Sequence, residues 1–172
     1  MPLGHVSLST GKLQFDRMRQ FYIDILAPLG YGIFKEESGC YVGFAPKYGS
    51  PDFWLHADGS MEKPFDPAVD MVDERQGKTH VAFAAHSPKV VQRWHEAALK
   101  AGGVDNGKPG ERPQYVKGYY GAFVIDPLGN NVEVMHWSPW WLKLMVAGPS
   151  AMCLLGGWFL GAAVFPYFSP KS

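Results

Sequence analysis

The feature that most limits the fold of this chain is a repeated order of elements, marked by two runs of like pattern, "GHVSL" at residues 4–8 and "THVAF" at 79–83, each a histidine in a short apolar run. In "GHVSLST", alternation sets His5, Ser7 and Ser9 on one face and Val6 and Leu8 on the other, the pattern of a strand covered on one side. The next stretch, "KLQFDRMRQFYIDILAPLG", spaces Met18, Tyr22, Ile25 and Leu29 at helical intervals and closes on Pro28 and Gly30. Three β-like runs follow, "YGIFKEE", "CYVGFAP" and "DFWLHA", separated by Gly, Pro and Ser. Residues 58–77 are rich in Asp, Glu, Pro and Gly without periodicity and read as a linker or covering loop.

The order then restarts. "THVAFAA" is a strand, and "SPKVVQRWHEAALKAGG" a helix with Ser87 as N-cap, Pro88 at its first position, Gly102 as terminator and a buried stripe of Val91, Trp94 and Ala98. "GVDNGK", "YYGAFVID" and "NNVEVMHW" complete the set, the last two joined by the turn "DPLGN". Two βαβββ modules, residues 3–57 and 78–138, predict one pseudo-symmetric α+β domain over residues 1–138. Each sheet is expected to cover one face with its helix and to turn the other, bearing His5 or His80, toward a shared cavity.

With 172 residues, 47% hydrophobic and 19% charged, the chain is long and apolar enough to bury a real core. Sixteen basic side chains balance sixteen acidic ones, so no net field draws the protein to nucleic acid, which is not expected as a partner. Cys40 and Cys153 show no pairing pattern and read as free thiols in a reducing compartment. The first twenty residues lack a continuous apolar run, so no secretory signal is expected and the domain is placed in the cytoplasm.

A third ionisable side chain belongs with the two histidines. In "GNNVEVMHW", Val132 and Val134 point one way and Glu133 the other, so all three polar groups stand opposite an apolar face. Neutral imidazole and carboxylate suit Zn, Fe(II), Ni or Mn, and two histidines with one carboxylate leave positions open for water or substrate. Each histidine taken alone reads as readily as a satisfied core or interface residue. His136, three residues past Glu133, falls on the opposite face and stays outside the set.

These stretches, together with "RQFYIDILAPLGYG", "AALKAGGVDNGKPGERPQY" and above all "GYYGAFVIDPLGNNVEVMH", resemble the vicinal oxygen chelate superfamily over about residues 3–138. That superfamily includes glyoxalase I, bleomycin-resistance proteins and extradiol dioxygenases. The resemblance implies a glyoxalase-like fold of two paired βαβββ modules with a divalent metal in the cavity. It matches His5, His80 and Glu133 to the ligands on the first, fifth and eighth strands. At the fourth position glyoxalase I has a glutamate, whereas "DFWLHA" offers Trp54, with His56 two residues on as a ligand or a substrate contact.

The implied activity is that of a metal-dependent lyase or isomerase on a small substrate that chelates through two neighbouring oxygens, with Glu133 doubling as base. The alternatives are an extradiol-type Fe(II) dioxygenase and a non-catalytic small-molecule binding or resistance protein. Tyr115, Tyr119 and Tyr120 lie just before or at the start of the seventh strand and either line the pocket or pack. Arg112, in the expected loop "PGERPQY", either holds a substrate carboxylate or is solvated. The pocket closes within one chain or between the two copies of a homodimer.

After Trp137 the character changes to a hydrophobic tail, residues 140–172. "LMVAGPSAMCLLGGWFLGAAVFPYF", residues 144–168, carries no charge and has the length of a transmembrane helix, flanked by Trp140, Trp141, Tyr167 and Phe168. It is expected either to anchor the domain in a membrane or to pack on the domain or a second subunit.

Overall fold

Alternation becomes pairing in the computed structural model, which describes residues 3–58 and 79–138. The first module runs β1 (Val6–Thr10), α1 (Phe15–Leu26) with a 3-10 turn (Ala27–Leu29), β2 (Tyr31–Glu37), β3 (Tyr41–Pro46) and β4 (Phe53–Ala57). The second runs β5 (His80–Ala84), α2 (Pro88–Lys100), β6 (Val104–Glu111), β7 (Tyr119–Ile125) and β8 (Asn131–Trp137). Each module folds into its own four-stranded mixed sheet, ordered β1-β4-β3-β2 in the first and β5-β8-β7-β6 in the second. β1 is parallel to β4 and β5 to β8, while the remaining pairs are antiparallel. All described residues belong to a compact unit that ends at Ser138.

The apolar half of every alternating pattern turns to a helix. α1 buries Phe15, Met18, Phe21, Tyr22, Ile25 and Leu26; α2 buries Val90, Val91, Trp94 and Ala98. Against them lie Leu8, Phe53 and Leu55 from the first sheet and Val81, Phe83, Val132 and Val134 from the second, all in one core. Each such side chain contributes about 1.5–3 kcal/mol when taken out of water. α2 ends where Gly102 turns to a φ of 97°, a left-handed conformation that favours glycine. Ser87 stands before Pro88 in extended conformation, as expected of an N-cap, but its side chain makes no capping hydrogen bond.

The modules meet through these covered faces, which corrects the expected shared cavity. Phe83 of β5 packs its ring on Phe53 and Tyr31 of the first module. Tyr22 of α1 reaches across to the turn "DPLGN", where its hydroxyl donates to Asp126 Oδ2 at 2.9 Å. Asp126 Oδ1 accepts from the backbone N–H groups of Leu128 and Asn130 and so closes the turn between β7 and β8. Burial pushes the Asp126 carboxyl above its ordinary value, against the hydrogen bonds that favour its charged form. Because the core lies between the modules, the two faces that carry the histidines both point outward, and His5 and His80 are exposed.

β6 is longer than the sequence pattern predicts, reaching Glu111 through "KPGE". Its register slips twice, between Asp105 and Gly107 and between Gly107 and Gly110, and it sits at the sheet edge, where Pro109 costs no ladder bond. Arg112 is thus the first residue of the loop that joins β6 to β7, directly after the strand. Among the described residues no helix is long and apolar enough to cross a membrane. The segment 144–168 and nearly all of the 58–77 linker lie outside the described residues.

Candidate functional site

The chemistry concentrates on the open face of the second sheet. His80 opens β5, and Glu133 stands one strand away on β8, opposite Ala82. His80 Nε2 lies 3.1 Å from Glu133 Oε2, where an imidazole N–H donates to the carboxylate. The other oxygen, Oε1, accepts the Tyr119 hydroxyl at 2.6 Å. Glu133 is only 4% exposed, whereas the His80 side chain is half exposed, so the pair is reached from the histidine side. Burial, then the hydrogen bond and charge of Glu133, push the Tyr119 hydroxyl above its ordinary value, which keeps it a donor.

A glycine makes room for this arrangement. A Cβ on Gly121 of β7 would stand 3.2 Å from both Glu133 Oε1 and Tyr119 Cε1, so the bare backbone there lets the carboxylate lie across the strand. Phe123, paired with Glu133, stacks with the His80 ring at a centroid distance of 6.4 Å. Arg112 places its guanidinium 5.7 Å from the centre of the same Phe123 ring. Its Nη2 donates to the Lys108 carbonyl at 2.7 Å and its Nη1 to that of Glu111 at 3.3 Å, which fixes the group while leaving other N–H donors free.

The open face of the first sheet is aromatic instead. His5 meets Trp54 edge-on at 6.4 Å, and Trp54 stacks on His56 at 6.2 Å with 22° between the rings. Tyr41 flanks both. Nδ1 of His56 shares a 2.6 Å hydrogen bond with Ser7 Oγ. Trp54 lies over Gly43, where a Cβ would come within 2.5–2.7 Å of the indole.

The register shows which residue stands at the fourth position. Ser7 pairs with Trp54 as Ala82 pairs with Glu133, so Trp54 holds in module one the place that Glu133 holds in module two. His56 corresponds in the same way to Met135, opposite Ala84.

Of the residues expected from sequence, the structure thus gathers His80, Glu133 and Arg112 on one sheet and His5, Trp54 and His56 on the other. His5 does not join His80 and Glu133: among the described residues no group of three or more His, Cys, Asp or Glu side chains is close enough to hold a metal. Tyr115 is exposed and packs its ring on Tyr119. Tyr120 turns to the helix-covered side, where Gln92 Nε2 donates to its hydroxyl at 3.0 Å. His136 also faces that side and bonds the Ala85 carbonyl through Nδ1 at 2.9 Å. Tyr119, named from the sequence only as one of three tyrosines that line the pocket or pack, is the partner of Glu133. Pairing "YYGAF" with "NNVEV" would have found it, since alternation sets Tyr119, Gly121 and Phe123 on the face of Glu133. A groove of about 540 Å³ along β2, lined by Tyr31, Phe34 and Lys47 among others, holds none of these groups.

No family model matches the chain. Nor does any curated protein. Solved structures do match. A glyoxalase/bleomycin resistance protein from Albidiferax ferrireducens is 23% identical, over 77% of this chain and 97% of its own, at a TM-score of 0.59. A lactoylglutathione lyase from Agrobacterium tumefaciens is 24% identical, over 77% of this chain and 90% of its own, at 0.51. A glyoxalase/dioxygenase from Nostoc punctiforme is 18% identical, over 80% of this chain and 91% of its own, at 0.56. The paired βαβββ modules of this chain have the fold of the vicinal oxygen chelate superfamily, shared with glyoxalase, bleomycin-resistance and dioxygenase proteins.

Proposed function

We propose that the chain is a metal-dependent lyase or isomerase of glyoxalase-like chemistry, acting on a small substrate with two neighbouring oxygens. The observation that carries this reading is the 3.1 Å approach of His80 Nε2 to Glu133 Oε2. Two donors held about 2.1 Å from one ion at roughly a right angle stand about 3 Å apart, so the pair already has the spacing of neighbouring ligands. A divalent ion bound there would act as a Lewis acid on the substrate oxygens.

The third donor in this reading is His5 of a second copy. Both histidine-bearing faces are exposed, and β1 and β5 are edge strands of their sheets. A two-fold pair of chains can lay the first sheet of one copy over the second sheet of the other and so complete each site. Trp54 and His56 then form an aromatic wall beside it, and Arg112 holds a carboxylate of the substrate. Glu133 serves as base only when it leaves the metal.

A second reading, an extradiol-type Fe(II) dioxygenase, is favoured by Trp54. With an indole in place of the second carboxylate, the donors are two imidazoles and one carboxylate, the set suited to non-haem iron. The two are separated by assaying protein loaded with Ni or Zn on the hemithioacetal of methylglyoxal, and protein loaded with Fe(II) on catechols with an oxygen electrode. Metal-dependent isomerisation without oxygen uptake supports the first, and catechol-dependent oxygen uptake the second. Turnover in neither assay, with metal failing to bind, leaves the non-catalytic binding protein.

A further inference from the structure

We propose that Tyr119 is a positioning residue that holds Glu133 as a single-oxygen metal ligand, an inference that rests on the metal-dependent reading above. Glu133 has two oxygens, and each has a different neighbour: Oε1 takes the Tyr119 hydroxyl at 2.6 Å, and Oε2 faces His80 Nε2 at 3.1 Å. A short hydrogen bond at Oε1 draws on the charge of that oxygen and fixes the plane of the carboxylate, which favours coordination through Oε2, the oxygen on the histidine side.

Tyr119 is itself held. It begins β7 paired with Trp137 of β8, its ring packs edge-on against Tyr115, and its backbone N–H donates to the Val116 carbonyl at 3.1 Å. Gly121 leaves the space through which phenol and carboxylate meet, since a Cβ there would press on both at 3.2 Å. The hydroxyl therefore sets both which oxygen of Glu133 is free and where it points. A ligand shell with one oxygen from Glu133 keeps a further position open for the second oxygen of a chelating substrate.

The test is Co(II) binding to the full chain, read by calorimetric titration and by the d–d absorption spectrum. Tyr119→Phe deletes only the hydroxyl; Gly121→Ala keeps it but crowds the same bond, and serves where Tyr119→Phe fails to fold. The proposal expects either variant to bind Co(II) about tenfold more weakly and to show an altered d–d band as Oε1 becomes free to coordinate. A merely structural role would change melting temperature without moving the band. Wild-type affinity and spectrum in a folded Tyr119→Phe, while His80→Ala and Glu133→Ala lose the ion, overturns the role of Tyr119 and leaves the metal reading standing. Unchanged affinity in His80→Ala and Glu133→Ala overturns both. A tyrosinate charge-transfer band on adding Fe(III), absent in Tyr119→Phe, makes Tyr119 a ligand and also overturns the proposal.

Discussion

Trp54 and Glu133 occupy the same place in the two modules, each on the last strand of its module and paired with the fourth residue of a matching run, Ser7 in "GHVSL" and Ala82 in "THVAF". The repeat thus keeps its backbone while exchanging a carboxylate for an indole. Each large group lies over a glycine of the neighbouring strand, Gly43 under Trp54 and Gly121 under Glu133.

The indole depends on that bare backbone. Gly43→Ala puts a methyl group within 2.5–2.7 Å of three carbons of Trp54, so the ring or the strand must shift. The expected loss of stability is about 1–3 kcal/mol, measured as a lower urea midpoint. Gly32→Ala, where nothing stands within 4 Å, is the control and moves the midpoint little.

The Tyr22 to Asp126 hydrogen bond ties the first module to the turn of the second across the core. Tyr22→Phe leaves a buried acceptor with one donor fewer and is expected to cost about 1–2 kcal/mol in urea unfolding. An unchanged midpoint would show that the bond contributes nothing to holding the modules together.

Acid sensitivity has an identifiable source at the foot of α2. Asp105 accepts from His95 Nε2 at 3.0 Å and from the Gly107 N–H at 3.0 Å, and these bonds, that to His95 foremost, hold its carboxyl below the ordinary value. A depressed folded value means that the stabilisation is present above the unfolded value, about 3.9, and is lost as the pH falls through the folded one. Asp105→Asn is therefore expected to lower the urea midpoint near neutrality, with the difference from wild type narrowing below pH about 4. A difference that widens on acidification would reverse the assignment.

Most of the fold could be read from the sequence because alternation and helical spacing are local. The order of both modules, the turn at Asp126 and the facing of His5, His80, Glu133, Trp54 and His56 all follow from residues within a few positions of one another. β6 was harder to read, since "DNGKPGE" has two register slips and a proline and so no period to detect. That hid the anchoring of Arg112. Tyr119 and Tyr120 look interchangeable in "GYYG", and only the register of β7 on β8 puts one on Glu133 and the other under α2. How the modules face each other is a property of the whole core. Phe83 packing on Phe53 turned both histidine faces outward, which no short window contains.

The central claim, a metal site completed by His5 of a second copy, is tested most directly by mixing two defective variants. His5→Ala and His80→Ala are each expected to lose stoichiometric Co(II) binding as purified proteins. In a two-fold pair built from one copy of each, one site keeps His5 from one chain with His80 and Glu133 from the other, so after subunit exchange about a quarter of the wild-type binding returns. No return of binding after exchange has been verified by mass spectrometry, or undiminished binding in His5→Ala alone, would contradict the account.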